Sequence, residues 1–206
     1  MTTTLQSPDP DPDPAPAAAR RPVLALLRRI ALPLVRASER ARVLHDWHRR
    51  WTGEPALPAH VRSVAFVCKG NICRSPFGAA LLARARPALR VTSYGLDAGD
   101  DCPAEPAARS LARAYGVDLD AHRTRRLDDD VVREVDLLLV MEAWQASAIE
   151  RRWPVARDRV RLLGDFLPAP PFGIEDPWGQ SEPVWRSSYQ RIEAAIARLV
   201  QRLEGG

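Results

Sequence analysis

From residue 61 onward, apolar positions switch between short dense runs and stripes with helical spacing. Runs rich in Val, Leu, Ile and Phe predict strands at 62–67, 89–94, 136–141 and 159–163. Stripes predict helices at 76–86, 104–115, 142–152 and 184–203. The last repeats most regularly, through Trp185, Tyr189, Ile192, Ile196 and Leu199. Strand and helix in alternation imply right-handed crossovers, hence an α/β fold: a small open parallel sheet of about four strands with helices on both faces. Such sheets hold ligands beyond the carboxyl ends of their strands, at a topological switch point.

The first sixty residues follow another pattern. Residues 1–21 alternate Pro with Asp and then run into alanines, a composition that favours extended, solvated chain, and they read as a disordered tail. Residues 22–60 read as a basic, amphipathic helical extension and linker. Val23, Leu27, Ile30 and Leu34 share one helical face, Pro33 splits the helix, and a second piece carries Val43, Leu44, Trp47 and Trp51. Gly53, Pro55 and Pro58 mark the linker. Two roles suit residues 22–52: an anchor for a membrane surface or acidic partner, or a helical pair packed on the core or on a second copy of it.

Charge supports that division. The net charge of the 206 residues is +4. Nine arginines face only Glu39 and Asp46 between residues 20 and 50, whereas residues 61–206 carry 21 basic and 20 acidic side chains. The core is therefore nearly neutral, and the basic balance does not argue for nucleic acid. Three cysteines make no disulfide framework and suit a reducing cytoplasm. No early charged region leads into an apolar one, and no apolar run approaches the roughly 20 residues of a spanning helix, so a cytoplasmic location is expected. The four histidines are scattered without partners at ligand spacing, so neither metal nor cofactor is expected.

Residues 66–77, Phe-Val-Cys-Lys-Gly-Asn-Ile-Cys-Arg-Ser-Pro-Phe, carry the chemistry. Cys68 and Arg74 stand on either side of five residues, between a predicted strand and a predicted helix. A tight loop there aims several backbone N–H groups at one point, and the helix dipole adds positive charge. An oxyanion in that cradle rests on the Cys68 sulfur, and the same field favours thiolate over thiol. For a phosphate monoester, Arg74 grips two phosphoryl oxygens, Cys68 attacks phosphorus, and Ser75 donates a hydrogen bond to the thiolate. Gly70 lets the backbone turn and approach the anion. Asn71 braces the loop, its side chain tolerating left-handed backbone geometry. The leaving group needs a proton from another loop. Asp176, held extended before Pro177, is the candidate acid, with Glu175 its rival; Trp178 is placed to stack on an aromatic leaving group. Lys69, the only lysine, sits beside the nucleophile.

With these residues in place, the chain resembles the low-molecular-weight protein tyrosine phosphatase family from about Val61 to Leu203. Val67 through Pro76 resembles its signature loop and Asp176-Pro177 its general-acid motif. Val91-Thr92-Ser93-Tyr94-Gly95 stands at its second strand, Gly116-Val117-Asp118-Leu119 through His122-Arg123 at the segment after its second helix, and Leu137 through Glu142 at its third strand. The resemblance implies hydrolysis of phosphotyrosine in proteins through a phosphocysteine. It makes Cys68 nucleophile, Arg74 phosphate clamp and Asp176 acid then base. Asn71, Ser75, Ser93 and His122 become supports of the loop, and Lys69, Gly70, Asn71, Ile72, Cys73, Arg74, Ser75 and Trp178 the substrate-binding set. It also implies phosphotyrosine rather than phosphoarginine, since Ile72 stands where arginine-phosphate members tend to carry threonine. Cys73 matches a second loop cysteine that can trap oxidised Cys68 as a disulfide. A bacterial tyrosine kinase or a polysaccharide-assembly component is the substrate the resemblance suggests.

The chain departs from the family pattern at Tyr94, at Trp178-Gly179, at Lys69 and in residues 97–101, which lack an aromatic wall. Two other readings use the same loop. An arsenate reductase needs a downstream cysteine relay, for which Cys102 alone is too early. A non-catalytic phosphate-docking protein needs no acid such as Asp176.

Overall fold

A computed structural model describes residues 37–205; the predicted tail at 1–21 and the start of the predicted extension, residues 22–36, lie outside the described residues. The first described element is helix α1, Ala37–Thr52. The alternating core follows: β1 (Ser63–Cys68), α2 (Arg74–Ala85), β2 (Arg90–Gly95), α3 (Pro106–Arg113), α4 (Asp129–Glu134), β3 (Leu137–Val140), α5 (Ala143–Arg152), β4 (Val160–Leu162) and α6 (Glu182–Glu204).

All four strands are parallel, in the order β2-β1-β3-β4. This is the predicted open sheet, with each strand end shifted by one residue. Chain growth reverses direction across the sheet after β2, so the switch point lies at the carboxyl ends of β1 and β3. β1 is buried along its whole length because helices cover both faces. Val64, Phe66 and Cys68 point into one core layer with α2, α3 and α6, while Ala65 and Val67 point into the other with α4 and α5.

The short helix α4 is absent from the sequence prediction. Its six residues are too few to show a hydrophobic period, but its start is chemically marked: the Asp128 carboxylate accepts from the Val131 N–H at 2.9 Å.

α1 resolves part of the choice left open for residues 22–52. Its described portion packs on the core: Ala41 joins the α4–α5 layer, and Arg49 is buried. The linker is tied down as well. Glu54 accepts from Arg198 and Arg202 of α6, and Arg161 Nε donates to the Ala56 carbonyl at 2.9 Å. Among the described residues, no helix is long and apolar enough to cross a membrane.

Candidate active site

The loop between β1 and α2 is shaped by one left-handed residue. Asn71 has φ 57°, which Asn tolerates better than most residues. Gly70, expected to supply the turn, has no positive φ; the conformational demand falls one residue later. Gly95, at the end of β2, supplies space instead. A Cβ there would lie 2.7 Å from the Lys69 carbonyl and 3.0 Å from the Asn71 nitrogen, so only glycine lets β2 support the loop at this distance.

Asn71 is fully buried and bonded on every side. Its Nδ2 donates to Ser75 Oγ at 2.9 Å and Ser93 Oγ at 3.0 Å, and its Oδ1 accepts from the Arg125 N–H at 2.9 Å. Its carbonyl lies 2.7 Å from His122 Nε2. A carbonyl only accepts, so Nε2 carries the proton. Ser93, His122 and Arg125, three residues from distant segments, thereby converge with Ser75 on the inside of the loop. Burial, with Arg125 and Arg123 nearby, lowers the His122 pKa from the ordinary 6.5, although its bond to Asn71 works the other way. As pH falls, the unfolded chain therefore takes up the second ring proton before the folded one. Stability from this site is intact above pH 6.5 and declines as pH falls below it. Thermal melts from pH 7.5 to 5 are expected to show a decline that His122→Gln reduces; an unchanged slope would contradict this.

Cys68 sits in the cradle so formed, 3% exposed. Its sulfur receives the Asn71 N–H at 3.3 Å and lies 3.1 Å from Ser75 Oγ. Ser75 has one proton and two acceptors, the sulfur and the Tyr94 carbonyl at 3.2 Å. Anionic sulfur attracts that proton; once sulfur is covalently bound, the carbonyl can take it. Cys73 opens α2 with no side-chain cap, and no acidic residue lies in the first turn, so the helix N–H groups face the cradle without a competing carboxylate from their own helix. The loop is also held from below. Tyr189 of α6 donates to the Cys73 carbonyl at 3.2 Å, and its ring stacks on Phe77 at 3.9 Å. Cys68 and Cys73 are both buried and unbridged, and burial, foremost, pushes the Cys73 thiol pKa far up.

Arg74 is 1% exposed. Nη1 donates to Glu142 Oε2 and to the Ile174 carbonyl, each at 2.8 Å, while Nη2 pairs with Asp176 Oδ2 at 2.6 Å. Nε is buried with no partner among the described residues. One side of the guanidinium is thus anchored, and the Nε–Nη2 edge is the fork available to a ligand. Burial opposes its charge, but Cys68, Asp176 and Glu142 outweigh that and hold its pKa above the ordinary value.

A cleft of about 210 Å³ opens over these groups, lined by Cys68, Lys69, Gly70, Ile72, Cys73, Arg74, Asp97, Asp176 and Trp178. Trp178 stands at its rim, 62% exposed. Asp176 and Glu175 separate here. Asp176 faces Arg74 across the cleft, whereas Glu175 lines a different cavity and its carbonyl accepts from Ser188. Ser93 and His122 bond Asn71 and do not line the cleft; exposed Cys102 lies outside it too. Three contributors escaped the sequence reading. Glu142, at the exit of β3, and Asp97 are acids just beyond strand ends, which was a usable signal. The Ile174 carbonyl is backbone and has none.

Residues 63–205 match the family model of the low molecular weight phosphotyrosine protein phosphatases. The chain belongs to this family. A relative named as a probable low molecular weight protein-tyrosine-phosphatase, EpsP of Ralstonia nicotianae, is 32% identical over 143 residues, 69% of this chain and 97% of that protein. Among solved structures, the tyrosine phosphatase AmsI of Erwinia amylovora aligns with a TM-score of 0.68 at 34% identity, over 73% of this chain and 99% of its own. The YwlE arginine phosphatase of Geobacillus stearothermophilus aligns with a TM-score of 0.65 at 30% identity, over 70% and 94%. The phosphatase match begins at Ser63 and leaves α1 outside it.

Proposed function

We propose that this phosphatase hydrolyses phosphotyrosine in proteins through a phosphocysteine, and that residues 61–206 form its catalytic domain behind the extension at 22–60. The observation that carries the reading is the arrangement around one point: the Cys68 sulfur receiving the Asn71 N–H, a buried arginine fork whose Nε has no partner among the described residues, and the Asp176 carboxylate paired with that arginine.

The phosphoryl group enters with its oxygens on the loop N–H groups and on the Nε–Nη2 edge of Arg74. It thereby competes with Asp176 for Nη2, and the displaced carboxylate takes up a proton from solvent and turns to face the ester oxygen. The Cys68 thiolate attacks phosphorus, the phosphorus–oxygen bond to tyrosine breaks, and Asp176 gives its proton to the departing phenolate. In the second step Asp176 takes a proton from water, the water oxygen attacks phosphorus, and thiolate leaves, stabilised by Ser75 and the Asn71 N–H. Inorganic phosphate and free enzyme result.

Ile72 and Trp178 line the cleft and give it apolar walls for a phenyl ring. The solved neighbours include both a tyrosine and an arginine phosphatase, so the substrate test is direct. Peptides matched in sequence and carrying phosphotyrosine, phosphoarginine or phosphoserine are compared by kcat/KM. Phosphotyrosine is expected to lead by at least about tenfold, the discrimination of one well-filled apolar pocket. Preference for phosphoarginine would overturn the substrate assignment while leaving the phosphocysteine chemistry standing. A phosphotyrosine protein, either a bacterial tyrosine kinase or a polysaccharide-assembly component, is the partner this reading favours.

A further inference from the structure

The segment that delivers Asp176 is held by a helix outside the matched family region. Asp176 lies at the end of a long connection from β4. This connection folds back on itself: a Cβ on Gly164 would strike the Phe172 carbonyl, so residues 164 and 172 touch backbone to backbone. α1 clamps that closed base from outside. The Asp46 carboxylate accepts the Phe172 N–H at 3.0 Å. Arg49 donates through both Nε and Nη2 to the Asp165 carbonyl, and its guanidinium lies 4.9 Å from the Phe172 ring centroid. His45 Nε2 is 2.6 Å from the Asp165 carboxylate.

Asp165 is 4% exposed, and a buried carboxylate needs partners. Among the described residues, its carboxylate contacts come from His45 and Arg49, both on α1. Among the described residues, this buried carboxyl of the catalytic domain is thus met by side chains of the extension. From the clamped Phe172 the chain has little freedom before the chemistry. Two residues on, Ile174 donates its N–H to the Met141 carbonyl at 2.8 Å and accepts Arg74 through its own carbonyl; four residues on stands Asp176.

We propose that α1 is a positioning element of the active site, with Asp46, Arg49 and His45 holding the 163–176 segment so that Asp176 meets the leaving-group oxygen. The proposal rests on Asp176 being the general acid. Small displacements of a catalytic group are costly, and the cost falls on the step that needs that group. The test follows from this selectivity. Phenyl phosphate needs its leaving oxygen protonated, whereas p-nitrophenolate departs readily as an anion, and the ratio of the two kcat/KM values on one preparation does not depend on the fraction folded.

Asp46→Ala is expected to lower kcat/KM for phenyl phosphate about tenfold and for p-nitrophenyl phosphate less than about threefold, a part of the 10²–10⁴ that a general acid supplies. Asp46→Asn, whose amide oxygen still accepts the Phe172 N–H, is expected to restore most of the loss. Arg49→Ala should shift the ratio in the same direction. In an Asp176→Ala background, Asp46→Ala should shift it no further. Equal losses on both esters, or none, with Asp176→Ala itself selective, would overturn the positioning role alone. An Asp176→Ala variant without selectivity would remove the acid assignment, and the inference with it.

Discussion

Cys68→Ser is expected to lower turnover of phosphotyrosine at least about ten-thousand-fold, the scale on which enzymes lose a covalent nucleophile. Serine is close in size, so it can occupy the same place between the Asn71 N–H and Ser75 Oγ. The cradle and the Arg74 fork stay built, and inorganic phosphate should still inhibit with little change. What disappears is a nucleophile that can attack as its anion: a serine hydroxyl would need a base to take its proton, and Asp176, once displaced from Arg74 by the phosphoryl group, is committed to protonating the leaving group. Rapid quench with labelled phosphotyrosine peptide should trap phosphate on the wild-type chain and none on the variant. Turnover within about a hundredfold of wild type would mean that phosphorus is attacked by some other group.

Arg74→Lys is expected to lower kcat/KM about a thousandfold, in the range seen when a transition-state donor or an arginine clamp is removed. The charge is conserved, so the loss reports geometry. Arg74 serves four directions at once: Glu142, the Ile174 carbonyl, Asp176, and the ligand-facing Nε. An ammonium on a flexible stem is a point donor and cannot present a planar fork while holding Glu142 and Ile174. Inhibition by inorganic phosphate should weaken alongside, which separates this variant from Cys68→Ser. The fold should also lose roughly 1–3 kcal/mol, since the buried Ile174 carbonyl and the half-buried Glu142 carboxylate lose a donor. Activity within about tenfold of wild type would show that charge, rather than the fork, does the clamping.

The two substitutions rest on features visible at different levels. Cys68 and Arg74 belong to one loop seven residues long. Its ends are set by local signals: a buried apolar run before it, an uncapped helix start after it, and a residue tolerant of left-handed geometry between. Local geometry of this kind depends on neighbours in sequence, so spacing alone was enough to place nucleophile and clamp together. The parallel sheet was legible for a related reason. Hydrophobic period reports burial on one or two faces, and strand–helix alternation leaves few topologies.

Asp176 shows where that legibility ends. Two adjacent acids precede Pro177, and neighbouring side chains in extended chain point in opposite directions. Only packing decided that Asp176 faces Arg74 while Glu175 turns to another cavity. Glu142 and the Ile174 carbonyl meet Arg74 from residues 68 and 100 positions away, a convergence no local pattern encodes. α1 shows the same limit. Its stripe and its charge announced an amphipathic basic helix, which suits a membrane, a partner or its own core equally well.

Residue order thus determined the sheet, the cradle and the sulfur at its centre, because each is built from short-range backbone preference and burial. Tertiary packing alone decided which carboxylate confronts the arginine, what anchors that arginine from behind, and where the extension spends its charged side chains. Those depend on which surfaces meet, and buried polar groups then select the partners that can satisfy them.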